Sequence, residues 1–364
     1  MKHYKKKLVY ILHDIAVGGV EVALLSALPV LSDKYDLKII VLGSINPSLI
    51  AHFTSEQKKV FHVFSYPVYQ YPLYLNKIVN HVIRLEPDYL ICSLWRSLFV
   101  GSIVKARYKD VKFFTFIHSV NFFHFADKIF TSFGIKKADV VLTDSGSSLE
   151  FVKNNFQLTC PLKVVSFLTN LTPEYKERRG IKSADPIKIM FLGRLDKVKN
   201  LPLLIEVIIH LRKRGHNVTL DIYGRWDNAY SATVEAIHKN GLDEFVQLKG
   251  EVLPSAKFEI FNRYDLYLQL SAFEGMAMSV AEAMQNGIPC ILSPVGEIPN
   301  YAKDMESAIF IDIWDPNKWE DSLNKIEQVL KNEQLYFNIS KKCWLNFKNR
   351  KIFVDSLIDS IEAY

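Results

Sequence analysis

The chain has 364 residues, 49% of them hydrophobic and 23% charged, with four cysteines and a net charge of +6. That length exceeds what a single core usually supports, and the composition is that of a globular chain, which sets aside one small domain and extensive disorder. No apolar run reaches the roughly 18 residues of a membrane span, and Leu8–Leu12, cut off by His13 and Asp14, is too short for a secretory signal core, so a cytoplasmic location is expected.

Short apolar runs rich in β-branched residues alternate with helix-period segments along the whole chain. In the first half the runs are Lys7–Leu12, Leu37–Leu42, Val60–Phe64, Tyr89–Ser93, Lys112–Ile117 and Val140–Thr143, with Lys163–Phe167 as a candidate last strand. In the second half Ile187–Leu192, Val218–Tyr223, Val246–Lys249, Leu266–Leu270, Pro289–Leu292 and Ala308–Ile311 repeat the scheme. Such alternation predicts α/β architecture with parallel sheets covered by helices. The polar stretch from Asn170 to Pro186 has the Pro, Gly and charge content of a linker. The expected division is therefore an N-terminal Rossmann-like domain over 1–172, joined by a C-terminal helix at about 345–364, and a second Rossmann-like domain over 173–344.

Cys92, Cys160, Cys290 and Cys343 lie far apart, without a C-x-x-C or metal-ligand spacing, and read as buried thiols. The charge is unevenly spread: residues 1–170 carry 20 Lys and Arg against 12 Asp and Glu, a net +8, while the remainder is at −2. Lys2–Lys7, Lys105–Lys112 and Lys136–Lys137 form the clusters. A basic face suits nucleic acid, an anionic membrane or a phosphorylated substrate, or is plain solvated surface; charge alone does not choose.

Neither G-x-G-x-x-G nor G-x-x-x-x-G-K-[ST] occurs, which removes the main support for a dehydrogenase or a P-loop ATPase. In open α/β sheets ligands bind beyond the carboxyl ends of the strands, so the residues following each strand are the candidates. After the first strand, Gly18 and Gly19 open a helix, where backbone can approach a ligand, although a tight turn also uses glycine. His118 ends the Lys112–Ile117 run and should face a crevice between the domains; a satisfied structural histidine is the alternative. Arg194 and Lys199, just after Gly193, pair a planar fork with a mobile point charge and so suit a diphosphate; ordinary surface cations are the alternative. Glu274 falls on a strand-to-helix loop, and Glu282 follows Ser279 by three positions in the S-x-x-E spacing of a capping box. A nucleotide sugar would use both glutamates, with its phosphates at the amides of Ser279 and Val280.

Taken together, the Gly18-Gly19-Val20-Glu21 turn, His118, the Gly193–Asn200 segment, the strand end at Gly224-Arg225 and the E-x7-E element of Glu274 and Glu282 resemble the retaining glycosyltransferases of family 4. The resemblance spans nearly the whole chain and implies the GT-B fold of two facing Rossmann-like domains. It implies that Glu282 binds the ribose hydroxyls of the donor nucleotide and that Glu274 lies by the hydroxyls of the transferred sugar. By the same resemblance, Arg194 and Lys199 would neutralise the leaving diphosphate, His118 would contact the donor sugar, Gly18 and Gly19 would close over the phosphates, and Gly224 and Arg225 would lie near the nucleotide. It further implies a nucleotide-diphosphate sugar as donor, UDP by frequency, no bound metal or other cofactor, and a saccharide or lipid-linked acceptor in the synthesis of bacterial surface polysaccharide. Ala277 stands where many members have Gly or Pro, and Asn170-Leu171 replaces a frequent Asn-Gly pair.

The aromatic segments Phe64–Tyr74 and Val120–Phe125 are candidates for an acceptor groove or a contact with an anionic membrane surface, although Phe122, Phe125, Ile129 and Phe133 also recur at the spacing of ordinary helix packing. The rival readings are a nucleotide-sugar epimerase or phosphorylase on the same fold, a binding module without turnover, and a nucleic-acid-binding protein. The last has no reading motif to support it, so nucleic acid is not expected as a partner.

Overall fold

A computed structural model describes residues 5–66, 68–122, 124–181, 185–253 and 256–364. Of the segments singled out above, residues 2–4, Pro67, Phe123 and residues 182–184 lie outside these. The chain divides into two compact units, Met1–Thr169 with Lys351–Tyr364, and Asn170–Arg350. No described helix is long and apolar enough to cross a membrane.

The first unit is built on a seven-stranded sheet of β1 (Lys7–Leu12), β2 (Asp36–Val41), β3 (Phe61–Val63), β4 (Tyr89–Ser93), β5 (Lys112–Ile117), β6 (Val140–Thr143) and β7 (Leu162–Val164), in the order β3-β2-β1-β4-β5-β6-β7. The second carries β8 (Ile187–Leu192), β9 (Val218–Tyr223), β10 (Val246–Gly250), β11 (Leu266–Gln269), β12 (Cys290–Leu292) and β13 (Ile309–Phe310), in the order β10-β9-β8-β11-β12-β13. Neighbouring strands pair in parallel in both sheets. The inner strands are buried along nearly their whole length, as in Val9, Tyr10, Ile11 and Leu12, because helices cover both faces and leave no solvent side for polar residues. Each order reverses once, between β1 and β4 and between β8 and β11. These two reversals are the topological switch points at which such sheets bind ligands.

The last helix, Phe353–Glu362, belongs to the first unit. Phe353, Leu357 and Ile361 form its buried stripe while Asp355 and Asp359 face water. Its start is fixed by Phe353 N–H donating to the Leu168 carbonyl (2.6 Å) and by the Ser356 hydroxyl accepting from Ser166 N–H (3.0 Å). The Phe353 ring stacks on Phe116. The polar stretch after Asn170 is no free linker. Trp344 Nε1 donates to the Thr172 carbonyl (2.9 Å), the Tyr175 and Ser340 hydroxyls meet at 2.9 Å, and Arg179 pairs with Asp265 at 3.2 Å, all within the second unit. Composition marked it as a connector; these side-chain partners, more than 80 residues away in sequence, hold it in place.

Candidate functional site

In the second unit the switch point gathers side chains from both flanking strands. After β8 the chain passes through Gly193 and Arg194 into a short 3-10 turn, Lys197–Lys199, whose N-cap Asp196 accepts from Lys199 N–H (3.2 Å). The turn fixes the base of the Lys199 side chain, and Nζ reaches the Glu274 carboxylate, on the loop after β11, at 2.6 Å. These side chains are 18% and 8% exposed. The same Glu274 oxygen accepts from Gln269 Nε2 at 2.6 Å. Gln269 is held in turn: the Ser279 hydroxyl donates to its Oε1 (3.1 Å), and the Tyr267 hydroxyl lies 2.7 Å from that oxygen and 3.0 Å from the Leu192 carbonyl. Burial raises the Tyr267 pKa well above its ordinary value, which keeps this hydroxyl a proton donor.

Two glycines permit the loops to close. A Cβ on Gly224, whose φ is +148°, would sit 1.6 Å from the Gly193 carbonyl oxygen, so the ends of β8 and β9 meet only because position 224 is bare. Behind Glu274, a Cβ on Gly296 (φ +57°) would lie 2.0 Å from the Glu274 carbonyl oxygen. Glu297 N–H donates to the adjacent Gly275 carbonyl (3.0 Å), which ties that loop down from behind.

The start of the helix after Glu274 differs from the expected capping box. The helix is Met278–Gln285, and its N-cap is Ala277, in the left-handed region (φ 55°, ψ 60°), with no side-chain cap. Ser279 turns its hydroxyl to Gln269 and Tyr267, a three-dimensional partner that outcompetes the local one. Glu282 is therefore not a cap residue: both its oxygens take the Lys257 ammonium, at 2.8 and 2.9 Å. The Val280 amide is also committed, donating to the Ala277 carbonyl at 3.0 Å, so of the two amides expected to receive phosphate only that of Ser279 remains open. Arg194 lies beside the Lys199–Glu274 pair in sequence but is half exposed. Its guanidinium pairs with Asp196 at 2.8 Å and approaches Asp227 at 3.6 Å. Arg225 is partly buried, and its carbonyl accepts from Leu195 N–H (2.9 Å).

In the first unit, Gly18 precedes the helix Gly19–Lys34 as its N-cap, in an extended conformation (φ −158°) open to any residue. His118 directly follows β5. Its Nε2 lies 3.1 Å from the Ser93 hydroxyl, which is 2.5 Å from the buried Tyr10 hydroxyl, and its Nδ1 is 3.6 Å from Asp144. Rings of Phe116 and Phe167 flank the imidazole. A chain of polar side chains thus crosses the ends of β1, β4, β5 and β6.

Of the aromatic segments, Phe122 packs against Phe151 and Phe156, while Tyr69, Leu73, Phe125 and Phe133 stand exposed. Phe122 lies before the helix Phe125–Lys137 and packs from the loop, while Phe125 and Phe133 on that helix face outward, so the helical-spacing reading fails for all three. Gln269, Lys257, Ser93, Asp144 and Tyr10 are site neighbours that sequence reasoning passed over. The position of Ser93, Asp144 and Gln269 at strand ends was the signal available.

Residues 173–343 match the family model described as glycosyl transferases group 1. Among curated relatives, the GtfA subunit of a UDP-N-acetylglucosamine–peptide N-acetylglucosaminyltransferase from Streptococcus pneumoniae is 31% identical over 106 residues, 29% of this chain and 20% of the relative. The match thus spans about a fifth of that protein's length. The N-acetyl-α-D-glucosaminyl L-malate synthase of Bacillus anthracis is 23% identical over 339 residues, covering 85% of this chain and 83% of the relative. Among solved structures, Anabaena HepE in complex with UDP and glucose superposes with a TM-score of 0.81 at 17% identity, over 98% of this chain and 99% of the other. The fold is GT-B, with two Rossmann-like α/β domains.

Proposed function

We propose that the protein is a retaining glycosyltransferase of family 4 that moves a hexosyl-type sugar from UDP to a saccharide or lipid-linked saccharide acceptor. The observation that carries this reading is the Lys199–Glu274–Gln269 cluster at the switch point of the second sheet, where a cation and a carboxylate are held side by side in a largely buried setting. Lys199 Nζ has Glu274 as its one hydrogen-bond partner among the described residues, which leaves two ammonium protons for diphosphate oxygens. Glu274 keeps its second oxygen for sugar hydroxyls, Glu282 is assigned to the ribose, Ser279 N–H to a phosphate, and His118 to the transferred sugar. Gly18, Gly19, Gly224 and Arg225 are assigned to the surroundings of the nucleotide.

In this reading the acceptor hydroxyl oxygen bonds to the anomeric carbon on the face from which the diphosphate departs. The carbon–oxygen bond to the phosphate breaks, and the acceptor's proton passes to the departing diphosphate. Arg194 and Lys199 stabilise the charge that develops there, without a metal or other cofactor, and that electrostatic contribution is the main catalytic one. Support comes from the UDP and glucose bound by the structurally similar HepE and from the sugar transfers named for the curated relatives. Surface polysaccharide synthesis at the inner face of the membrane, with the basic first unit against anionic lipid, completes the proposal. The test is UDP release from UDP-hexoses with and without saccharide acceptors, with the product's anomeric configuration read by NMR. Release that needs an acceptor, with a product of unchanged configuration, supports the reading. Turnover of UDP-sugar to its epimer without acceptor refutes it.

A further inference from the structure

The first unit has a switch point of its own, between β1 and β4, where the sugar-transfer chemistry assigned above uses Gly18 and Gly19 but none of the charged side chains. His13 and Asp14 follow β1, Trp95 and Arg96 follow β4, Gly43 and Ser44 follow β2, and Tyr71 joins them from the helix Tyr71–Arg84. Arg96 is the unusual member. Its side chain is 14% exposed, yet among the described residues its guanidinium makes no hydrogen bond. Its ionic partner among the described residues is Asp14, at 3.6 Å, too far for a hydrogen bond. By contrast, Arg212, on the helix after β8, donates to the Val218 carbonyl at 3.0 Å. A guanidinium brings five donors, and with a single carboxylate at ion-pair distance this partly exposed one keeps most of them for a further acceptor.

The surroundings hold Arg96 ready. Its guanidinium carbon lies 5.7 Å from the Tyr71 ring centre and 5.8 Å from that of Trp95. Trp95 is itself packed among His13, His124 and Phe130. The Arg96 backbone N–H donates to His13 Nε2 (3.0 Å), which anchors the residue at the mouth of β4. Asp14 is fixed by Ser44 through backbone and hydroxyl (2.7 and 3.2 Å), which leaves its second oxygen to face the guanidinium. Burial and the Arg96 charge keep His13 neutral, so the cluster's fixed charges are one cation and one carboxylate. A planar fork flanked by aromatic rings matches a carboxylate or a phosphate better than it matches neutral hydroxyls.

We propose that Arg96 binds an anionic group, a carboxylate or a phosphate, carried by the acceptor that enters the first unit. Calling the ligand the acceptor rests on the sugar-transfer reading; the anion site itself does not. The test uses the full chain with saturating UDP, so that any phosphate site in the second unit is already filled. Inorganic phosphate and succinate are titrated by calorimetry, and flotation compares phosphatidic acid vesicles with plain phosphatidylcholine ones. Wild type should bind at least one of these anions, and Arg96→Lys should bind it about tenfold more weakly or worse, since it keeps charge but loses the fork. Asp14→Asn keeps the acceptor for Ser44 while removing the competing charge, and should bind several-fold more tightly, which a merely structural Arg96 would not produce. Binding to phosphatidic acid vesicles alone, lost in Arg96→Lys, assigns the anion to a lipid-borne phosphate. Equal affinities in wild type and Arg96→Lys, or no response to any anion while UDP still stabilises the protein, overturn the proposal. If UDP has no effect on wild type but phosphate binds through Arg96, the sugar-transfer reading fails and the anion site stands.

Discussion

Replacing Lys199 with Met removes the cation facing Glu274 and leaves a carboxylate, 8% exposed, with the Gln269 amide as its remaining hydrogen-bond donor among the described residues. Breaking a buried ion pair from one side typically costs about 3–5 kcal/mol. The surviving Gln269 bond and the 18% exposure of the lysine place this case at the lower end, about 3 kcal/mol. For a unit of this size that corresponds to a melting point lowered by roughly 6–12 °C. Glu274→Gln keeps an oxygen for Gln269, and its stranded lysine can turn toward water, so about 1 kcal/mol is expected. The double variant has neither charge to strand and should be less destabilised than the sum, with a coupling of about 2 kcal/mol. The assay is urea unfolding followed by tryptophan fluorescence, which reports mainly on the second unit because four of the five tryptophans, Trp226, Trp314, Trp319 and Trp344, lie there. A Lys199→Met unfolding free energy within about 0.5 kcal/mol of wild type, or strict additivity in the double variant, would refute the coupling.

Two further predictions concern backbone and pH. Gly224→Ala drives a Cβ into the Gly193 carbonyl at a φ of +148°, a clash with backbone that no side-chain movement relieves. A loss of about 3 kcal/mol or more is expected in the same unfolding assay, and a wild-type curve would contradict the close approach. The His13 pKa is pushed down to about 3 by burial and by Arg96, against about 6.5 in the unfolded chain. The unfolded state therefore binds a proton that the native state refuses. The stability contributed by neutral His13 is present above pH 6.5 and is lost as pH falls toward 3, by up to about 1.4 kcal/mol per pH unit. His13→Gln, whose amide oxygen can stand in for Nε2, should flatten that slope in the first unit, which amide hydrogen exchange can read; an unchanged slope would rule out His13 as its source.

The α/β plan was legible because fully buried parallel strands leave continuous apolar runs, and each of those runs contains or overlaps a strand. The runs overshot at some ends: 60–64 became Phe61–Val63 and 308–311 became Ile309–Phe310, where flanking apolar residues continue past the paired backbone. Glu274 and Lys199 were legible as strand-end residues, but not as a pair, since they lie 75 positions apart and meet only because β8 and β11 are neighbours. Local reading failed most clearly at Ser279. The S-x-x-E spacing is a sound cap signal, but β11 presents Tyr267 and Gln269 beside that hydroxyl, and Lys257 takes the glutamate meant to complete the box. Asn170–Pro186 begins where the second unit begins, as its composition suggested, but its anchoring by Asp265, Ser340 and Trp344 was not legible for the same reason.

The central claim is that the second unit binds a UDP-sugar through Glu282 and the switch-point cluster. Thermal stability of wild type and Glu282→Ala with UDP, GDP, ADP and CMP in turn tests it most directly. UDP at about 100 times its dissociation constant should add roughly 2.7 kcal/mol to wild type, and the variant should lose that response while still folding. A UDP response equal in both proteins would remove Glu282 from the site, and no nucleotide response in wild type would contradict the claim itself.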